Sequence, residues 1–339
     1  MSQRSRGPFA SIKITDVAAA AGVAPMTVSR VLNTPERVSA GTAARVREAI
    51  DKLGYVPNLI AGGLSSRRSR MIAAIVPTIA SPMFAAPVQS FTDAMGRAGY
   101  NVLLGLSGYA GGEDALLRAV LSRRPDGILL TGASHAPEVR KLLADSRVPV
   151  VEIWDNAEPA TDILVGFDHA EVGAMVADFF IERGHRHFAL VGAIDPRASL
   201  RGNGYRRRLT ERGGSLIAER ALPSPSATLD GRRAMAEVAA RLPPRTAIFC
   251  SSDLVAFGVM TEAQLRGIAV PGDVAICGFG NFELSRSTHP SLTTVHVDGT
   301  AMGMLAAENL LARLEGRGGA PPHGHRIMVP FHIISRDST

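Results

Sequence analysis

From residue 71 onward the chain alternates short apolar runs with longer amphipathic stretches. The runs are Ile72–Pro77, Val102–Leu106, Gly127–Thr131, Val148–Ile153, Ile163–Phe167, Phe188–Val191, Ala247–Cys250, Val274–Gly278, Leu292–Val295 and Arg326–Val329. Most of the intervening stretches carry helical periodicity, as in Glu171–Arg183 and Asp253–Arg266. Continuous apolar strands alternating with helices predict parallel sheets covered on both faces. About ten strands spread over this length predict two doubly wound halves rather than one sheet.

The first part of the chain has a different rhythm. Thr15 and Asp16 suit a helix start, and Gly22 suits its end. A second helix opens at Pro25, where a missing N–H costs little, and runs to Asn33. Val17, Ala21, Val23, Val28, Val31 and Leu32 are placed to pack the two together. Ser39 starts a third helix, in which Val46, Ile50 and Leu53 recur at helical spacing before Gly54 stops it. Short helices joined by a glycine turn predict a helix-turn-helix, with Pro25, Met26, Thr27, Ser29 and Arg30 on the open face of its second helix.

Charge sharpens this picture. Residues 1–70 hold eleven Lys/Arg against four Asp/Glu, while the other 269 residues are nearly balanced. The overall pI near 9.9 therefore describes a basic headpiece on a near-neutral body. A localised basic patch is the footprint of a polyanion binder. Cys250 and Cys277 lie inside apolar runs and read as buried, reduced side chains. No apolar stretch approaches the roughly 20 residues of a membrane span, and no secretory leader is legible. A cytoplasmic protein is expected.

In doubly wound sheets, ligands sit outside the carboxyl ends of the strands. Those ends carry Ser81-Pro82-Met83-Phe84, Tyr109, Thr131, Ser134-His135, Trp154-Asp155, Phe167-Asp168, Arg201, Ser252-Asp253 and Gly280-Asn281-Phe282. Asp168 reads as a hydroxyl acceptor. No phosphate loop or dinucleotide fingerprint follows a strand, and Gly202-Asn203-Gly204 is too short for one. The histidines at 185, 187, 323 and 325 fit no metal spacing. No nucleophile elbow accompanies Asp168-His169. An enzyme, a metal and a cofactor are not expected.

The segment Ile14-Thr15-Asp16-Val17-Ala18, then Ala21-Gly22-Val23, then Met26 through Asn33, resembles the headpiece signature of the LacI/GalR family of bacterial transcription regulators. Val38-Ser39, Leu53-Gly54-Tyr55, Pro57-Asn58, Ala61 and Leu64 continue it in register. The resemblance implies an α/β chain with an all-α helix-turn-helix headpiece (1–57), a hinge or linker (58–70) and a periplasmic-binding-protein-like effector domain (71–339). It places one subdomain at about 71–165 with 299–339, and the other at about 166–295.

For function, the resemblance implies a homodimer on a palindromic operator. Met26, Thr27 and Arg30 would make specific contacts, and Pro25 would shape the helix start. Asn33, Tyr55 and Asn58 would touch the DNA backbone. Thr15, Ser29 and Ala61 complete the DNA-binding set. Leu64 would wedge into the central minor groove and kink the duplex. The hinge departs from the pattern at Gly62-Gly63, which would cost a helix roughly 1–2 kcal/mol relative to alanines. Arg67, Arg68 and Arg70 beside it are expected on phosphates.

Arg201 matches the family's effector-binding arginine. Phe84, Tyr109, His135, Trp154, Asp168, Ser252 and Asn281 complete the expected pocket. Many sugar-binding relatives carry an aspartate where this chain has Gly280, which leaves Arg201 less compensated and favours a carboxylate or phosphate. Segments such as Val148-Pro149-Val150-Val151-Glu152, Arg183-Gly184-His185-Arg186-His187 and Thr131-x-x-x-His135-x-Pro137 resemble the gluconate-utilisation-repressor branch. The expectation is a repressor of sugar-acid catabolism released by a gluconate-like effector. The alternative is a corepressor-activated regulator responding to another small metabolite. Further rivals are a transport receptor and a sugar-acid enzyme; the headpiece and the absence of catalytic groupings speak against both.

Overall fold

The computed structural model describes residues 12–56, 68–108, 112–133, 135–156, 160–316 and 322–339. The chain divides into two units, Met1–Ser69 and Arg70–Thr339. In the first, α1 spans Ile14–Ala21, α2 Pro25–Asn33 and α3 Ala40–Leu53. Val17, Ala18, Ala21, Val28, Val31, Ala43, Val46 and Ala49 form its buried core. Gly22, at φ 64°, ends α1 in the left-handed conformation that turns the chain into α2.

Two details differ from the sequence reading. Helix α1 is capped two residues earlier, at Lys13, and the Asp16 carboxylate accepts the Lys13 amide at 2.9 Å. Thr15 is therefore an exposed first-turn residue, not the cap. Leu32 is 37% exposed and lies outside the core, because Val28 and Val31 already fill the buried stripe of so short a helix.

Residues 70–339 carry two six-stranded sheets. Strands β1 (Met71–Val76), β2 (Asn101–Leu106), β3 (Gly127–Thr131), β4 (Val150–Ile153) and β5 (Ile163–Gly166) belong to the first. Strands β6 (His187–Ala193), β7 (Leu216–Leu222), β8 (Thr246–Cys250), β9 (Val274–Phe279) and β10 (Thr293–Val297) belong to the second. The last two, β11 (His325–Met328) and β12 (Phe331–Ile334), are shared out one to each. The orders are β11-β5-β4-β3-β1-β2 and β12-β10-β9-β8-β6-β7, parallel throughout except for antiparallel β12 on β10.

Helices cover both faces of each sheet, as the unbroken apolar strands require. Around the first sheet lie α4 (Ala85–Arg97), α5 (Glu113–Leu121) and α6 (Pro137–Ser146). Around the second lie α7 (His169–Glu182), α8 (Pro196–Glu211), α9 (Thr228–Val238) and α10 (Asp253–Leu265). Finally α11 (Gly299–Glu315) returns to the first lobe and packs on α4, β4 and β5. Cys250 and Cys277 are both buried, in clusters on opposite faces of the second sheet.

Glycines set the closest helix pairs. A Cβ on Gly173 of α7 would fall inside the Arg201 carbonyl of α8, and one on Gly204 would strike the Ala170 carbonyl of α7. Gly231 and Gly258 play the same part between α9 and α10. Gly204 is thus a packing residue.

The sequence missed β7 and β12. Both are edge strands. Alternate residues of β7 are exposed, so Glu219 and Arg220 interrupt its apolar character.

The C-terminal segment also needs a correction. Only part of 299–339 belongs to the first lobe. After β11 the Val329 amide binds the Gly166 carbonyl at 2.7 Å, the chain crosses over, and β12 pairs with β10. Ser338 then donates to the Ile276 carbonyl at 2.6 Å and accepts the Thr293 amide at 2.8 Å, fixing the end of the chain to the second sheet. The backbone crosses between lobes three times: after β5, after β10 and between β11 and β12.

Candidate functional site

In the headpiece, Thr15, Pro25, Met26, Arg30 and Asn33 are exposed, whereas Thr27, Ser29 and Tyr55 are half-buried. The Asn33 amide is turned back onto its own helix, donating to the Ser29 carbonyl at 2.9 Å. The N-terminal half of α2 thus offers side chains that the three-helix core leaves uncovered. Asn58, Ala61, Leu64, Gly62-Gly63 and Arg67 lie outside the described residues. Arg70 departs from its expected role. Its amide binds Asp126 at 3.0 Å, and its guanidinium sits 5.1 Å from the Tyr100 ring centre and donates to the Ala98 carbonyl, so it anchors the start of β1.

A cavity of about 190 Å³ opens between the carboxyl ends of the two sheets. Ala80, Ser81, Met83 and Phe84 line it from the first lobe. Ala193, Asp195, Arg197, Arg201, the 224–227 turn, Ser251, Ser252, Leu254 and Phe282 line it from the second. Its charged lining is two guanidiniums against one carboxylate, and Asp195 is occupied as the N-cap of α8, accepting the amides of Arg197 and Ala198 at 3.1 and 3.0 Å. Five serines line it; the Ser251 hydroxyl accepts the Ala193 amide at 3.0 Å, and those at 81, 224, 226 and 252 supply neutral hydrogen-bonding groups.

Arg201 is 3% exposed. One terminal nitrogen donates to His169 Nδ1 and the other to the Ser251 carbonyl, each at 2.9 Å. Its guanidinium carbon lies 4.0 Å from the centre of the Phe279 ring. Its Nε has no protein partner. Burial, reinforced by the charge of Arg197 and opposed by Asp195, lowers its pKa to about 10, so the group stays cationic at neutral pH. A buried guanidinium held only by an imidazole, a carbonyl and a ring keeps its positive charge available for an anion.

His169 is the neutral partner. Burial first, then the Arg201 charge, holds it well below the usual histidine range. Because Nδ1 accepts from Arg201, the ring proton sits on Nε2, which donates to the Trp154 carbonyl at 3.0 Å. Trp154 is itself unusual, with φ at +66°. It is buried between Phe84 and Phe167, at centroid distances of 6.2 and 5.3 Å.

The sequence-predicted pocket residues divide. Phe84, Arg201 and Ser252 line the cavity, and Trp154 packs behind Phe84. Asp168 does not line it. It caps α7 by accepting the Ala170 and Glu171 amides, and its other oxygen takes the Asn156 amide at 2.8 Å. His135 is withdrawn between Glu113 and Glu152, at 3.0 and 3.3 Å. Asn281 binds His296 and accepts from Arg336 at 2.6 Å, so it fastens the tail, and Phe282 takes the lining position instead. Tyr109 and Ser134 lie outside the described residues.

Gly280 has a packing reason. With φ at +129°, a Cβ there would press on the Phe282 ring. Asp253, next to Ser252, is fully buried and accepts from the Phe282 amide and the Ser285 and Thr294 hydroxyls, so it fixes this turn. Sequence reasoning missed Arg197, whose signal was its spacing of four from Arg201 on one helix. Its guanidinium reaches the first lobe, lying 5.4 Å from the Phe84 ring centre and 3.5 Å from the Thr131 carbonyl.

Comparison with known proteins agrees with this architecture. Residues 13–58 match the family described as bacterial regulatory proteins, lacI family, and residues 177–339 match a periplasmic binding protein-like domain. The HTH-type transcriptional regulator GntR of Escherichia coli (strain K12) is 34% identical over 91% of this chain and 93% of its own length. The HTH-type transcriptional repressor PurR of Pectobacterium carotovorum is 31% identical over 96% of each. A crystal structure of a LacI-family transcriptional regulator from Silicibacter pomeroyi superposes with TM-score 0.89 at 30% identity, covering 96% of this chain and 99% of that one.

Proposed function

Because the chain belongs to the lacI family of bacterial regulatory proteins and is a DNA-binding transcriptional regulator rather than an enzyme, we propose that it represses sugar-acid catabolism and is released from a palindromic operator by a gluconate-like effector. The observation that carries the effector reading is the guanidinium of Arg201, buried at the wall of a hydroxyl-bearing cavity with no carboxylate hydrogen-bonded to it. A carboxylate would meet Arg201 and Arg197, and the ligand's hydroxyls would meet the serines. The likeness to GntR supports this choice, while the likeness to PurR and to CytR widens the field of effectors to be tried.

The headpiece reads DNA through Pro25, Met26, Thr27 and Arg30 at the start of α2, in the major groove. Two copies act together. Strand β2 is an edge of the first sheet and exposes Leu103, Leu104 and Leu106 at 52, 49 and 52%. A second copy of the chain would cover this apolar edge and set the spacing of the headpieces. Such a regulator works in the cytoplasm, where the chromosome lies. Among the described residues no helix is long and apolar enough to cross a membrane.

The test is calorimetric titration with gluconate, related sugar acids and the matching neutral sugars. Saturable binding of the acid alone supports the reading; binding of a neutral sugar in its place overturns it. Repeating the titration with operator present tells release from corepression, because linkage makes operator weaken the binding of an inducer and strengthen that of a corepressor.

A further inference from the structure

His169 lies behind the cavity wall, yet it is hydrogen-bonded to both lobes. Its Nδ1 accepts from Arg201 on α8, in the second lobe, and its Nε2–H donates to the Trp154 carbonyl at the end of β4, in the first. The residue stands immediately after the first of the three chain crossings. Its ring packs 4.4 Å from Phe167 at that crossing, and Phe167 in turn lies 6.1 Å from Phe331, just beyond the third. The acceptor of the Nε2–H bond belongs to a residue held at positive φ, a conformation that persists only when its surroundings impose it.

We propose that His169 is the positioning residue that couples an anion on Arg201 to the angle between the lobes. An anion that draws the guanidinium toward the cavity moves the imidazole with it, and the imidazole moves the Trp154 backbone. Of the other interlobe contacts at this end, the Asn156–Asp168 bond does not involve Arg201, and Arg197 meets the first lobe through a long 3.5 Å contact to the Thr131 carbonyl and a guanidinium 5.4 Å from the Phe84 ring centre, neither of which passes through Arg201. This inference rests on the reading of Arg201 as the effector's anchor.

The two ring nitrogens have separate tasks, so two substitutions separate them. In His169→Asn the Oδ1 replaces the acceptor for Arg201, but nothing reaches the Trp154 carbonyl. In His169→Gln the Nε2 replaces the donor to Trp154, but the acceptor is lost. With gluconate as probe, His169→Asn binds close to wild type, and the weakening of operator binding on saturation, normally in the range of about 5–150-fold, collapses toward none. His169→Gln binds about tenfold or more weakly but still releases operator at saturation. Equal behaviour of the two variants, or the reverse pattern, overturns the proposal.

A second experiment needs no effector. Trp154 is the only tryptophan in the chain, so its fluorescence reports the receiving end of the relay without background. Arg201→Met, or Arg201→Lys if the first does not fold, shifts the emission of the otherwise native protein and shifts it no further once His169 is Asn. An undiminished shift in the His169→Asn background sinks the relay. If wild-type protein ignores gluconate, the sugar-acid reading falls, and this cycle still decides the relay.

Discussion

Arg197 and Arg201 lie one turn apart on α8 and face the same cavity, yet they are anchored in opposite lobes: Arg201 on the Ser251 carbonyl of its own lobe, Arg197 across the cleft over the Phe84 ring. One arginine belongs to the wall, and the other bridges the opening. Arg201→Ala is expected to abolish the effector response while operator binding survives. Arg197→Ala is expected to weaken gluconate about tenfold, the worth of a charge-assisted hydrogen bond, with release retained at saturation. Calorimetry together with operator-release assays distinguishes the two.

The backbone contact between α7 and α8 makes a second prediction. In Gly204→Ala the new methyl must displace the Ala170 carbonyl. The loss of stability is expected near 3 kcal/mol, at the upper end of overpacking effects. Urea unfolding measures it. Gly213→Ser, at a glycine with no neighbour within 4 Å, controls for loss of a glycine, although its positive φ carries a smaller backbone cost.

His135 gives the chain a pH dependence. Burial lowers its pKa, but the hydrogen bonds and charges of Glu113 and Glu152 outweigh that and raise it to about 9 from 6.5. The folded chain then binds more protons than the unfolded one between these values. The His135 contribution is complete below pH 6.5 and is lost as pH rises to about 9, on the order of 3 kcal/mol. In His135→Gln, stability measured between pH 6 and 9 falls less steeply, starting from a lower value because Glu152 loses its buried cation.

On the headpiece, Thr27→Ala is expected to weaken operator binding by about 1–3 kcal/mol and to relax preference at one base position. Arg30→Ala, if Arg30 reads a base, also relaxes specificity; if it meets a phosphate, it lowers the salt slope by about one and weakens all sequences alike. Band-shift titrations at several salt concentrations tell these apart.

For the exposed edge of β2, Leu104→Asp is expected to convert a dimer into monomers in sedimentation velocity and to cost most of the operator affinity. A protein that sediments unchanged places the dimer interface elsewhere.

Much of this was legible from pattern. The ten apolar runs are all strands; most are buried on both faces and so read as uninterrupted hydrophobicity, while the edge strand β2 keeps its apolar run although it is largely exposed. Strand β7 escaped because an edge strand with one solvated side carries Glu219 and Arg220. In the cavity, Phe84 and Ser252 were found from strand ends, and Arg201 from its match to the family's effector-binding arginine. Asp168, His135 and Asn281 were not pocket residues, because a polar side chain at a strand end can equally be satisfied by a helix N-terminus, a carboxylate pair or a tail arginine. No periodicity separates those cases; only the partner does. His169 was overlooked because its role needs Arg201 and Trp154, which are distant in sequence.

The split of the last two strands between the lobes bears on how such a protein can be re-engineered. Neither lobe is a continuous piece of chain: the first sheet takes β11 from beyond residue 324, and the second takes β12 from just after it. A chimaera that imports only the contiguous segment holding β1 to β5 would seat its sheet against a foreign edge strand and a foreign α11. Exchange of specificity between relatives must therefore carry two separated gene fragments for either lobe, or proceed one cavity side chain at a time.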